Sequence, residues 1–249
     1  GGPAFDAFGW PVRGTATAAR MRTIGLIGGM SWVSTAEYYR LVNEGICERL
    51  GGWHSARCVI HSVDFAEIEQ LQREGEWDAV AEILSASGTS LVAAGAEVVL
   101  LCANTVHHVA DAIESALTVP FIHIAKATGE RILQAGIRHV ALLGTAYTME
   151  MDFCRSPLEA MGIAVSVPDE GGRDMINRVI YYELCQGLIE DSSRKQFVDV
   201  IEGLIRDGCQ GVVLGCTEIP LLIGQEDVSA PVFDTTRIHS EAAVEFALS

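Results

Sequence analysis

The sequence predicts an α/β protein of two similar lobes, each a parallel sheet flanked by helices. Three observations carry this prediction. Short apolar runs alternate with stretches whose apolar residues recur at helical spacing. The runs end in glycine or in polar residues, as buried strands do where they enter a loop. The strand-end motifs of the first half also return, in the same order, in the second.

Taken in order, Thr23–Ile27 is an apolar run closed by Gly28-Gly29 and reads as a strand entering a tight turn. Helical spacing follows over 34–50, then a strand at 58–63 and a helix over 77–94 with Val80, Ile83, Leu84 and Leu91 on one stripe. Gly95 precedes a strand, Glu97–Leu101, which ends at Cys102. A helix is expected over 106–117 and a further strand over Phe121–Ile124. Strand and helix in alternation is the pattern of a parallel sheet.

The second half repeats this plan. Arg22–Gly28 (RTIGLIG) matches Arg138–Gly144 (RHVALLG), Val98–Cys102 (VVLLC) matches Val212–Cys216 (VVLGC), and Pro120–His123 (PFIH) matches Pro231–Asp234 (PVFD). Two copies are too few for a solenoid. They fit two lobes that face each other across a pseudo-twofold axis, with an active site in the cleft between them. Residues 1–20 are expected to be a disordered or extraneous extension, 21–125 the first lobe and 126–236 the second. Residues 237–249 should form a C-terminal helix packing back towards the first lobe.

Bulk composition narrows the function classes. The 249 residues carry a net charge of −16, with 49% hydrophobic and 20% charged side chains. This is a globular composition, and the acidity argues against phosphate-backbone binding. No apolar run reaches the roughly 18 residues of a membrane span. The seven cysteines show no regular spacing, and no secretory leader is visible, so a reducing cytoplasm is expected.

Parallel sheets bind ligands beyond the carboxyl ends of their strands. Cys102 and Cys216 both stand at such ends, at matching points of the repeat, and polar residues rather than core follow each. A single thiol there would read as a small buried hydrophobe. Two suit a racemase: one thiolate takes the α-proton from one face of a carbon while the other thiol protonates the opposite face. Helix N-termini after the strands, the hydroxyls and amides of Asn104, Thr105 and Thr217, and Glu218 supply partners for a substrate. No cofactor is required.

Other features are more ambiguous. Met30-Ser31-Trp32 after Gly28-Gly29 reads either as a plain tight turn or as a carboxylate site at a helix N-terminus. Thr145 and Thr148 lie in the corresponding loop of the second half. His54, Ser55 and Arg57 form a polar cluster in which Arg57 could grip a side-chain carboxylate or simply join a surface ion pair. His107 and His108 are adjacent, hence about 100° apart on a helix, and do not make a shared metal ligand pair. Lys126 and Lys195 are the only lysines, and neither accompanies a pyridoxal-phosphate site.

From Met21 onward the chain resembles the aspartate/glutamate racemases, the cofactor-independent two-cysteine class, and most of all their broad-specificity bacterial amino-acid racemase branch. The likeness lies in Ile24–Trp32 (IGLIGGMSW), Leu50–Arg57 (LGGWHSAR), Ser62–Phe65 (SVDF), Cys102–Thr105 (CANT), Leu143–Met149 (LGTAYTM), Leu214–Ile219 (LGCTEI) and Val232–Thr235 (VFDT). The resemblance implies the two-lobe fold, frequent homodimers, Cys102 and Cys216 as acid and base, and Met30–Trp32, Asn104, Thr105 and Thr217 around a small amino acid. Ala103, Ala146 and Cys154 depart from the family pattern, which bears on the choice of substrate. Hydantoin racemases, maleate isomerases and catalytically silent amino-acid-binding homologues share the same fold logic.

Overall fold

The computed structural model describes residues 20–249 together with the strands β1 (Ala4–Phe5) and β2 (Pro11–Val12), which pair antiparallel. The remainder of the expected 1–20 extension lies outside the described residues. The chain forms two compact units. One comprises the chain up to Cys102, Val109–Ile122 and His239–Ser249; the other comprises Ala103–His108 and His123–Ile238.

The first unit holds β3 (Ile24–Gly28), α1 (Trp32–Leu50), β4 (Cys58–Ser62), α2 (Phe65–Glu74), α3 (Trp77–Ala93), β5 (Val98–Leu101) and α4 (Ala110–Ala116). Its sheet is parallel in the order β4-β3-β5, and Ile24 pairs with both Cys58 and Val98. β3 is buried along its whole length, as a central parallel strand covered on both faces must be.

Three details differ from the sequence reading. The strand expected at Phe121–Ile124 is a single parallel bridge, Val99 to Phe121, because a helix already starts at Ile124. The helix expected over 106–117 opens as a 3₁₀ turn, Thr105–Val109, before α4. Buried His107 explains this. Its Nδ1 faces the carbonyls of Ala103 (2.9 Å) and Asn104 (3.2 Å) and so donates to them, competing with the helical ladder. Finally, α2 lacks a broad apolar stripe and buries only Ile68. It is set by its ends, the Asp64 N-cap and the left-handed Gly75.

The second unit holds α5 (Ile124–Gln134), β6 (His139–Leu143), α6 (Ala146–Glu150), α7 (Asp152–Ala160), β7 (Ala164–Ser166), α8 (Glu170–Tyr182), α9 (Asp191–Arg206), β8 (Gly211–Leu214), β9 (Val232–Asp234) and the start of α10 (Thr235–Leu248). Its sheet is parallel in the order β7-β6-β8-β9. Ala141, Leu143, Val212 and Leu214 pack with Ile176, Ile180, Phe197 and Ile201 of α8 and α9. Each of these buried valine, leucine, isoleucine and phenylalanine side chains contributes about 1.5–3 kcal/mol.

In the first unit, Ile24, Leu26, Val98 and Leu100 pack with Tyr38, Val42 and Ile46 of α1 and with Ala243, Val244 and Ala247 of α10. A buried polar chain fixes that arrangement. The Tyr38 hydroxyl lies 2.8 Å from His239 Nδ1, and His239 Nε2 donates to the Ile122 carbonyl at 2.7 Å. Among the described residues no helix is long and apolar enough to cross a membrane.

Candidate active site

Apart from His54, Ser55 and Arg57, the expected site residues follow the carboxyl ends of β3, β5, β6 and β8 along the chain, two of these strands in each unit. Cys102 continues β5: its amide donates to the Ile27 carbonyl at 2.9 Å. Its side chain is fully buried in the row of Val98 and Leu100, against the α1 and α10 side of the sheet. Burial pushes the thiol well above its ordinary pKa, and Cys58 adds to the effect. In the second sheet the same ladder position belongs to Gly215, whose amide donates to the Leu143 carbonyl at 2.7 Å.

This finding corrects the sequence alignment of the repeats. Ile24 pairs with Val98, whereas its counterpart Val140 pairs with Gly211, so Val98 corresponds to Gly211 and not to Val212. Cys216 stands one residue further beyond its strand than Cys102 does. A one-residue shift reverses the face of a strand. Cys216 accordingly continues the row of Val212 and Leu214 and packs on the α8 and α9 side.

Cys216 is half-buried and has a partner. Its Sγ donates to Glu218 Oε2 at 2.9 Å, and Thr217 Oγ1 donates to the same oxygen at 2.7 Å. Loss of hydration raises the Cys216 pKa well above its usual value. The Glu218 charge and the thiol–carboxylate hydrogen bond raise it further, the Glu218 backbone amide opposes them, and Cys185 adds a small push upward.

Asn104, two residues after Cys102, belongs to the second unit and is buried there. Its Nδ2 donates to Thr235 Oγ1 at 3.3 Å, and that hydroxyl donates to the Leu214 carbonyl at 2.9 Å. The amide is therefore fixed, while its buried Oδ1 has no partner among the described residues. Thr105 is half-buried at the start of the 3₁₀ turn. His107 is consumed structurally, since its Nε2 accepts from the Ile124 amide at 3.3 Å. His108 is exposed, and among the described residues no group of three metal-ligating side chains forms.

The turn after β3 is tightly specified. Gly29 has φ +99°, and a Cβ there would strike the Val63 carbonyl. Its amide donates to Thr35 Oγ1 at 2.8 Å, so that donor is already engaged. Met30 is buried, Ser31 caps α1 through the Ser34 amide, and Trp32 is 72% exposed. In the second unit Thr145 caps α6 through the Thr148 amide, and Thr148 is buried against Gly144 and Gly215. The sequence reading overlooked Thr35, Thr235 and Asn177, whose Oδ1 accepts from the Ala146 amide at 2.8 Å. Only their tertiary partners single them out.

His54, Ser55 and Arg57 fall elsewhere. They are exposed at the amino end of β4, whereas Cys102 stands past the carboxyl end of β5. Cys58 shares a ladder level with Val98, so four residues, about 13 Å along the strands, separate that level from Cys102. The structure does not bring this cluster to the thiol of its own unit. The carboxyl end of β4 instead leads into Val63, whose amide donates to the Gly28 carbonyl at 3.0 Å, and into Asp64.

The chain matches the Asp/Glu/hydantoin racemase family model over residues 27–243. It is 52% identical to a candidate Asp/Glu racemase from Yersinia pestis, covering 92% of this chain and 100% of that one with a TM-score of 0.89. An aspartate racemase homologue from Pyrococcus horikoshii is 37% identical, with a TM-score of 0.85 over 92% of this chain and 100% of that one. The Picrophilus torridus aspartate racemase shares the fold at 21% identity and a TM-score of 0.71, over 91% and 94% of the two chains. With its paired parallel sheets and family match over most of its length, this chain belongs to the Asp/Glu/hydantoin racemase family.

Proposed function

We propose that the protein is a cofactor-independent amino-acid racemase that interconverts the enantiomers of aspartate or glutamate, with Cys102 and Cys216 as its proton-transfer pair. The observation that carries this reading is a thiol just beyond a carboxyl-terminal strand end in each of two parallel sheets, each followed by polar residues. Such a pair permits 1,1-proton transfer. One thiolate takes the α-proton, the carbanion is held as an enediolate, and the other thiol returns a proton to the opposite face.

Asn104 supports an amino-acid substrate. A buried carbonyl oxygen with a fixed orientation and no donor is costly unless a donor arrives, and a substrate ammonium supplies one. Thr105, Thr217 and the amides around Ser31 and Thr145 are suited to the carboxylates. The names of the Yersinia and Pyrococcus relatives favour acidic substrates. Homodimer assembly and a cytoplasmic location complete the proposal.

The test is deuterium wash-in at Cα from D₂O, measured on L- and D-amino acids. Replacing both thiols (Cys102→Ser with Cys216→Ser) should slow exchange about 10³-fold or more, the usual scale for a lost acid–base group. Each single variant should lose racemisation. A double-serine protein that exchanges at the wild-type rate would refute the proposal.

A further inference from the structure

The two thiols differ in what surrounds them. Among the described residues, no side chain accepts a hydrogen bond from Cys102 Sγ, which is enclosed by aliphatic core. Cys216 Sγ, in contrast, donates its hydrogen to Glu218 Oε2, 2.9 Å away, and Thr217 Oγ1 donates to that same oxygen at 2.7 Å. The residue after Glu218 is Ile219, which is fully buried in the second unit's core and opens a 3₁₀ turn, Ile219–Leu221. Packing of Ile219 fixes the backbone beside Glu218, and the two hydrogen bonds from Cys216 and Thr217 hold its carboxylate.

We propose that Glu218 is the positioning residue of Cys216: by accepting its hydrogen it keeps that thiol protonated, so the resting enzyme presents Cys216 as the acid of the pair. This deepens the racemase reading and rests on it for its catalytic consequence.

Protonation must be asymmetric for two-thiol chemistry. One sulfur has to be ionised while the other still carries its proton, and two thiols in equal surroundings offer no preference between the two arrangements. A carboxylate beside one sulfur supplies the preference, because two negative charges at contact distance disfavour each other. Glu218 and Cys185 are the titratable groups that face the Cys216 thiol, and both act to keep it protonated. Glu218 also raises the pKa of Cys185, to about 11 after the larger effect of burial.

The proton inventory closes. The Cα–H bond breaks and its proton goes to the Cys102 thiolate; the Cys216 S–H bond breaks and its proton goes to Cα. The Cys216 thiolate is then left beside the Glu218 carboxylate. The resting arrangement returns when Cys216 takes a proton back and Cys102 gives one up, with water as carrier. Repulsion from Glu218 favours that return.

The test is peptide-resolved alkylation by iodoacetamide across the alkaline range, since only the thiolate reacts. In Glu218→Gln an amide oxygen still accepts the hydrogen bond, but the charge is gone. The Cys216 alkylation profile should move to lower pH by about one unit, which is about tenfold faster labelling below the midpoint. Cys102 labelling should not move, and the alkaline limb of kcat/KM should follow Cys216. Glu218→Asp, which restores the charge, should bring the profile back towards wild type and guards against a folding defect in the glutamine variant. A Cys216 profile that stays put or moves upward in Glu218→Gln overturns the assignment, as does an equal shift at both thiols. A shifted Cys216 profile in a protein that exchanges no amino acid sustains the assignment and overturns the racemase reading. An unshifted profile in an active racemase does the reverse.

Discussion

Gly215→Ala tests how tightly the backbone positions Cys216. A Cβ at Gly215 would lie 2.8 Å from Thr148 Cγ2, 3.0 Å from the Leu143 carbonyl oxygen and 3.3 Å from Leu142 Cδ1. Ordinary carbon contacts begin near 3.5 Å, so relief needs a movement of about 0.7 Å. Little is free to give way. Leu142, Leu143 and Thr148 are all buried, and the Gly215 amide is bonded to the carbonyl that the new methyl would press on. Overpacking of this kind costs about 1–3 kcal/mol. A loss of about 2 kcal/mol corresponds to a fall in Tm of about 4–8 °C for a chain of this size. Since Cys216 is the next residue, its sulfur should be displaced by a fraction of an ångström. A full 1 Å error costs about 10²-fold in rate, so a loss of about tenfold in Cα exchange is expected. Thermal unfolding and deuterium wash-in measure the two effects. Thr148→Ser removes the nearest obstructing atom, and combining it with Gly215→Ala should recover at least about 0.5 kcal/mol relative to additivity. A Gly215→Ala protein within about 0.5 kcal/mol of wild type would refute the packing argument, because that is the range of a neutral surface change.

Two further outcomes follow from burial and from position. Cys154 is buried, and loss of hydration pushes its thiol up to about 12. Below the unfolded thiol pKa both states hold the proton; above it only the folded state does, so stability falls as pH rises. One such thiol lowers the unfolding free energy by about 1.4 kcal/mol per pH unit between about 9 and 12. Cys154→Ala should flatten the alkaline slope of stability by that amount in denaturant titrations at stepped pH, and an unchanged slope would contradict the buried-thiol account. Arg57 is exposed, and its guanidinium has no ion-pair partner among the described residues. Arg57→Ala should leave unfolding within about 0.5 kcal/mol of wild type and KM within about threefold, a limit below the tenfold that 1.4 kcal/mol of lost binding would produce. A tenfold rise in KM would return Arg57 to the substrate.

The sequence by itself determined the alternation of strand and helix and the two-part plan, and it singled out two thiols at strand ends as candidates. Those features rest on local chemistry: apolar runs such as Val98–Leu101 and Gly211–Leu214 have few alternatives to a doubly covered parallel strand, and the glycines at their ends mark where the chain must turn. The register of those runs was not legible. Sliding Val-Val-Leu-Leu against Gly-Val-Val-Leu by one position scarcely alters the match, so sequence similarity matched Cys102 with Cys216, whereas the hydrogen-bond ladder within each sheet makes Cys102 the counterpart of Gly215. Only backbone pairing across β3 and β6 decides that step, and with it the face on which each sulfur lies. Distant partnerships were hidden for the same reason. Asn104 reaches Thr235 and then Leu214, and Gly215 is held by Thr148, through contacts that no local pattern encodes. The Arg57 cluster shows the converse: polar residues beside a strand suggested a substrate grip, but strand direction sets them at the amino end, away from Cys102. The sequence therefore named the two cysteines, and the tertiary structure made them unequal, because hydration, ladder position and the carboxylate of Glu218 act on a sulfur only once the chain has folded around it.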